Sequence, residues 1–327
     1  LSVAAAAGEG VARVGAAGSL LALLAVLAGC APSRPPAGLG IQVLTTFFPI
    51  TLFTRAVAGD CATVKALVPP EQGPHDVQAR PADLAALRQA RVLVKNGLGM
   101  EAFLPRLLEA AGNSRLQVID SSRGIATLAA PGQGHHGSHP NGSHHNGSHH
   151  QDHGAQNPHI WLDPLRAAAQ VATIRDGLIQ ADPGCAATYR RNAATTITQL
   201  QTLNREIASQ LKPYQGKTFV AFHDVAPYFA DRYGLRAVFV VDVPEISPSP
   251  ADLQRVIKTV RSSQLKAVLS EPQQGQRSFN ALAQDLGVKI SVFDPLETGT
   301  VQDSQDPQTY WRTMRRNVAE LIEVFKG

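Results

Sequence analysis

Charge is sparse in this chain. Only 17% of its 327 residues are Asp, Glu, Lys or Arg, the formal net charge is +4, and no Lys/Arg run is present, so nothing in the charge pattern points to nucleic acid. Cysteine is scarcer still. There are three, none in a C-x-x-C pair, which leaves a thiolate metal site without support. Neither H-E-x-x-H nor G-x-S-x-G occurs, so the local signatures of a zincin protease and of a nucleophile-elbow hydrolase are both missing. The apolar stretch at residues 14–28 is too short to cross a bilayer, which takes about 20 residues. What is present is apolar mass. At 44% hydrophobic residues the chain has a real core, and its length suits two lobes of ordinary size.

The apolar stretch has the size of a secretory h-region. It follows Arg13 and ends in Leu27-Ala28-Gly29-Cys30, with a Pro-rich segment behind it. Leu-Ala-Gly-Cys resembles a bacterial lipobox, in which the cysteine is lipidated and becomes the mature first residue. The expected organisation is a signal peptide over 1–29 and a lipidated Cys30 with its tether over 30–40. If Cys30 carries lipid, Cys61 and Cys185 remain, and outside the cytoplasm they are free to form one disulfide.

From residue 41 onward, strand-like and helix-like segments alternate. Strands are expected at 41–47, 62–68, 92–94 and 116–119, with helices at 52–58, 81–90 and 101–111. This βα order implies a mostly parallel sheet covered by helices. Residues 132–156 break the pattern with Gly, Ser, Asn, Gln and His, including a repeated Asn-Gly-Ser-His-His pentad at 141–150. Such a composition buries too little to order itself. Asp163 then offers an N-cap and Pro164 a first-turn proline for a linking helix over 164–183. A second helix at 186–211 follows, and βα alternation resumes. Strands are expected at 218–222, 237–241, 267–270 and 289–293, and helices at 226–233, 250–262, 278–286 and 308–325. The fold class is therefore α/β, with an N-terminal lobe over 41–163, the linking helix, and a C-terminal lobe over 184–327.

Eleven histidines are present. Eight fall in the insertion: His135, His136, His139, His144, His145, His149, His150 and His153. These are accessory metal-binding candidates. The other three stand at element boundaries. His75 follows the second expected strand, His159 precedes the linking helix, and His223 comes directly after a strand. Asp294 likewise follows the last expected strand. In open parallel sheets ligands bind beyond the carboxyl ends of strands. A cleft between the lobes would gather His75, His159, His223 and Asp294 into three imidazoles and one carboxylate, a reasonable closed shell for zinc.

Several short segments, in order, resemble the zinc/manganese class of ABC-transporter solute-binding proteins. They are Gly73-Pro74-His75-Asp76, Asn157-Pro158-His159-Ile160-Trp161-Leu162-Asp163-Pro164, Phe222-His223-Asp224, Ser270-Glu271-Pro272-Gln273 and Phe293-Asp294-Pro295-Leu296. The resemblance implies two α/β lobes, a rigid linking helix, and a metal between the lobes on His75, His159, His223 and Asp294. It further implies a non-enzymatic, monomeric protein on the outer side of the cytoplasmic membrane. Such a protein delivers Zn2+, or Mn2+ or another divalent transition metal, to a membrane permease and its ATPase. Three other functions compete. Gly97-Leu98-Gly99-Met100-Glu101-Ala102 matches a dinucleotide fingerprint, with Asp120 at the distance of a ribose-binding acid, although it lies after a later strand rather than the first. A zinc hydrolase would need an open coordination position and a general base. A metal buffer without a transporter would need only the loop.

Overall fold

A computed structural model describes residues 40–75, 77–130, 156–242, 247–272 and 277–326. The expected signal peptide, the Cys30 tether and the His-rich insertion lie outside the described residues. Among those residues, no helix is long and apolar enough to cross a membrane.

The first lobe runs β1 (Ile41–Thr45), α1 (Phe48–Ala58), β2 (Ala62–Ala66), α2 (Pro81–Gln89), β3 (Val92–Lys95), α3 (Leu104–Ala111) and β4 (Gln117–Asp120). Two long helices follow, α4 (Pro164–Ala181) and α5 (Ala186–Leu211). The second lobe runs β5 (Thr218–His223), α6 (Pro227–Tyr233), β6 (Arg236–Val241), α7 (Pro250–Ser262), β7 (Ala267–Ser270), α8 (Arg277–Leu286), β8 (Lys289–Val292), α9 (Val301–Gln305) and α10 (Thr309–Lys326). Each lobe holds one four-stranded parallel sheet, ordered β2-β1-β3-β4 and β6-β5-β7-β8. In both orders the chain leaves its first strand to one side and later crosses to the other. The switch points therefore lie beyond the carboxyl ends of β1 and β3 and of β5 and β7, where α/β sheets leave a crevice.

Some boundaries moved for local reasons. The helix expected at 52–58 begins four residues earlier, at Phe48, because extended Phe47 and first-turn Pro49 start it well. The α3 helix starts at Leu104 rather than 101, since Glu101 is engaged with the preceding turn. The short α9, opened by a Thr300/Asp303 capping box, was not anticipated. Asp163 does cap α4, accepting from the Leu165 amide.

The lobes share a core. The α1 helix is nearly all buried and packs on α4, α5, α9 and α10, so apolar contact runs without a break from Phe53 through Tyr310 and Trp311. Cys61 and Cys185 form a disulfide between the start of β2 and the turn joining α4 to α5.

Candidate metal centre

One strand end and three connecting segments converge. His223 is the last residue of β5 and is fully buried. His75 lies in the loop after β2, His159 just before the short 3-10 turn Ile160–Leu162 that leads into α4, and Glu297 in the loop after β8. The exposure of each is 5% or less. The Glu297 Oε1 atom lies 2.9 Å from His75 Nε2, 3.1 Å from His159 Nε2 and 3.4 Å from His223 Nε2. One donor atom from each of the four residues falls within 4.8 Å of all the others. Donors about 2.0–2.2 Å from a shared tetrahedral centre sit about 3.3–3.6 Å apart, so the set is dimensioned for one small cation.

The outward ring nitrogens are held from behind. His223 Nδ1 lies 2.6 Å from Glu271 Oε2, and its backbone N–H donates to Glu271 Oε1. This holds a proton on Nδ1 and turns Nε2 inward, the arrangement in which a carboxylate–histidine pair supports a metal. His159 Nδ1 bonds Asn157 Oδ1 at 3.0 Å, and Asn157 Nδ2 donates to Asp224 Oδ2. The Tyr228 hydroxyl donates to the Asn157 carbonyl, so the second lobe grips the segment that carries His159. From the first lobe, Asn96 Nδ2 donates to the Pro158 carbonyl. Arg232 on α6 holds buried Asp163 through two hydrogen bonds.

Electrostatics suit a cation. Burial outweighs the Glu297 carboxylate and pushes His159 down to about 3, so its imidazole is neutral near pH 7. Burial also opposes a charge on His223, yet the carboxylates of Glu271 and Glu297 hold it well above the usual histidine range. Glu297 is buried too, and His75 and His223 keep it well below the usual carboxylate range. Two buried carboxylates facing three imidazoles call for positive charge, which a divalent ion supplies.

One sequence expectation needs revision. The carboxylate brought to the imidazoles is Glu297, not Asp294. Asp294 instead accepts the Leu296 amide on Oδ1 at 2.9 Å and pairs with Arg316 through Oδ2 at 2.8 Å. Its position was a clue. An Asp-Pro step starts turns, and an aspartate that bonds the backbone two residues on is committed there. The supporting roles of Glu271 and Asn157 were not read from sequence, since a side chain behind a ligand leaves no spacing signal.

The dinucleotide-like glycine turn has a local explanation. Gly97 and Gly99 take φ of 92° and 80°, and a Cβ at Gly97 would meet Asp120 Oδ1 at 2.3 Å. The Asn96 and Gly97 amides, which would face a phosphate, donate to the buried Glu101 carboxylate at 2.6 and 3.0 Å. Asp120 is engaged with Lys95 and Ser122.

Asp224 carries a pH signature. Burial raises its carboxyl to about 7 against an ordinary 3.8. Between those values the unfolded chain releases a proton that the folded chain keeps, so this group removes stability as pH rises from about 4 to 7. Asp224→Asn is expected to stabilise the metal-free protein by a few kcal/mol at pH 8 and to have little effect near pH 4. Urea denaturation in chelator at both pH values checks this; equal effects at the two would contradict it.

Known proteins resemble this chain in sequence and in fold. The model of the family described as "Zinc-uptake complex component A periplasmic" (ZnuA) matches residues 43–324. The zinc-binding lipoprotein AdcA of Streptococcus pneumoniae (strain ATCC BAA-255 / R6) is 32% identical over 310 residues, covering 93% of this chain and 59% of that protein. The chain thus spans 59% of the length of this relative. The high-affinity zinc uptake system protein ZnuA of Bacillus subtilis (strain 168) is 29% identical over 282 residues, covering 86% of each. A crystal structure of a ZnuA deletion mutant with zinc bound superposes with a TM-score of 0.73 at 28% identity, over 87% of this chain and 98% of that one. By fold and by a family match over residues 43–324, the chain belongs to the ZnuA family of periplasmic zinc-uptake components.

Proposed function

We propose that the protein captures zinc outside the cytoplasm and hands it to an ABC transporter permease with its ATPase, without catalysing a reaction. The observation that carries this reading is the buried group of His75, His159, His223 and Glu297. Three imidazole nitrogens and one carboxylate oxygen suit zinc, and four protein donors leave no position for an activated water of the kind a zinc hydrolase uses. The zinc named in the relatives and in the similar crystal structure supports the same cargo. Because all four side chains are buried, loading and release require movement of the loops or lobes around them. The Cys61–Cys185 disulfide supports an oxidising, extracytoplasmic setting. Attachment to the membrane through lipidated Cys30 rests on the lipobox-like Leu27-Ala28-Gly29-Cys30. The eight histidines of the insertion are proposed as accessory, weaker sites.

Manganese is the discriminating competitor. It favours oxygen-rich, higher-coordinate shells and lies below zinc in the general affinity order. Competition titration of protein lacking residues 132–156 is expected to show one tight zinc site and weaker manganese binding. Saturating zinc at 1,000 times its Kd should add about 4 kcal/mol of stability by mass action. Equal affinity for the two ions, or loss of the tight site on loop deletion, would overturn the assignment.

A further inference from the structure

Glu297 sits on a loop whose shape is heavily constrained. At its start, the Asp294 backbone N–H donates to Asn317 Oδ1 and its carbonyl accepts from Asn317 Nδ2, at 2.9 and 2.7 Å. At its far end, the Gly299 N–H donates to the Pro70 carbonyl of the first lobe at 2.7 Å, and a Cβ there would lie 2.3 Å from the Phe48 ring. In between, the Trp161 indole N–H donates to the Pro295 carbonyl at 2.8 Å. Pro295 restricts its own φ, so the freedom left in the approach to Glu297 is concentrated at Leu296. That residue has φ of 61° and is 1% exposed. A left-handed leucine costs about 1–2 kcal/mol and persists only where its surroundings impose it.

Asp294 Oδ1 receives the Leu296 N–H at 2.9 Å, a side-chain bond two residues forward that closes an Asx turn. We propose that Asp294 is a positioning residue for metal binding: through Oδ1 it holds Leu296 in its left-handed conformation and thereby aims Glu297 at the three imidazoles. This rests on the reading of Glu297 as a ligand. It assigns the Oδ2 contact with exposed Arg316 no part in metal affinity.

The test uses the full chain with Asp294→Asn, Asp294→Ala, Arg316→Ala and Glu297→Gln, each titrated with zinc in competition with a chelator. Visible absorption of the cobalt-loaded proteins reports coordination geometry, which a purely stabilising role would leave unchanged. Asp294→Ala is expected to weaken zinc by about 10-fold or more, the scale of losing an outer-shell partner, and to alter the cobalt spectrum. Asparagine keeps an Oδ1 acceptor, so Asp294→Asn should bind within about 2-fold of the parent, as should Arg316→Ala. If Asp294→Ala fails to fold, Asp294→Asn still decides: a weakening as large as that of Glu297→Gln, with the melting temperature of the metal-free protein unchanged, overturns the proposal. So does an Asp294→Ala protein with parental zinc affinity and cobalt spectrum while Glu297→Gln is impaired. A Glu297→Gln protein that binds zinc like the parent instead removes the ligand reading itself.

Discussion

Replacing His223 with Ala is expected to weaken zinc binding by about 100-fold or more. The scale follows from dividing the roughly 10–16 kcal/mol of a four-ligand structural zinc site among its donors, which gives about 3 kcal/mol each. His223 is a sharp choice because it lies on a strand end rather than a loop and its Nδ1 is already committed to Glu271. No neighbouring backbone shift supplies a replacement nitrogen. The variant carries a second cost. It takes the imidazole away from the Glu271 carboxylate, which has 1% side-chain exposure and keeps the residue-223 backbone N–H, and losing that buried pairing costs up to about 3–5 kcal/mol of fold stability. Affinity and stability must therefore be measured separately, by competition titration at a temperature where the metal-free variant is folded and by melting in chelator. Glu297→Gln serves as the companion, since it removes the anionic donor at nearly constant shape. His223→Glu should weaken zinc less than His223→Ala and narrow the gap to manganese by adding a second oxygen donor. Unchanged zinc affinity in folded His223→Ala would remove His223 from the ligand set.

The sequence carried the architecture because the signals for it are local. The βα alternation, Pro164 after a capping Asp163, and the proline-led start of α7 each follow from residues a few positions apart, and each lies where it was expected. The three histidines could be picked out for a related reason. They stand at strand ends and at the entrance to α4, and element ends can be located from pattern alone. The fourth donor was not legible in that way. Asp294 and Glu297 both follow β8, and the strand pattern does not choose between them; the choice depends on which carboxylate the backbone of the turn consumes. Glu271 and Trp161 act from 48 and 134 residues away from the groups they bond, and only the assembled fold brings such pairs together; Asn157 is two residues from His159, but its link to Asp224 spans 67. Glu101 shows the converse. Its glycine turn has the letters of a phosphate cradle, but the amides are satisfied by a carboxylate of the chain itself, and no short motif records that.

Removing the disulfide should lower stability substantially and leave the metal centre nearly untouched. Cys61 and Cys185 are 124 residues apart, and the loop-entropy relation for a closure of that size gives about 5 kcal/mol, with native disulfides usually contributing about 2–5. For a chain of this size each kcal/mol corresponds to roughly 2 °C, so Cys61→Ala/Cys185→Ala should melt about 5–10 °C lower. The placement explains why zinc affinity should survive. Cys61 precedes β2, at the amino ends of the parallel strands, whereas His75 follows the carboxyl end of the same strand. Five residues of strand at about 3.3 Å each separate the two ends by some 16 Å. The cross-link instead ties the turn between α4 and α5 to the outer edge of the first sheet, and so braces the helix pair against which α1 packs. Its energy acts mainly on the unfolded chain, which a reductant frees and a metal does not. Melting with and without reductant, followed by zinc titration of the double variant at low temperature, tests both halves. A folded double variant that has lost zinc affinity by more than about 10-fold, the cost of losing an outer-shell partner, would show that the cross-link shapes the site rather than the stability of the scaffold.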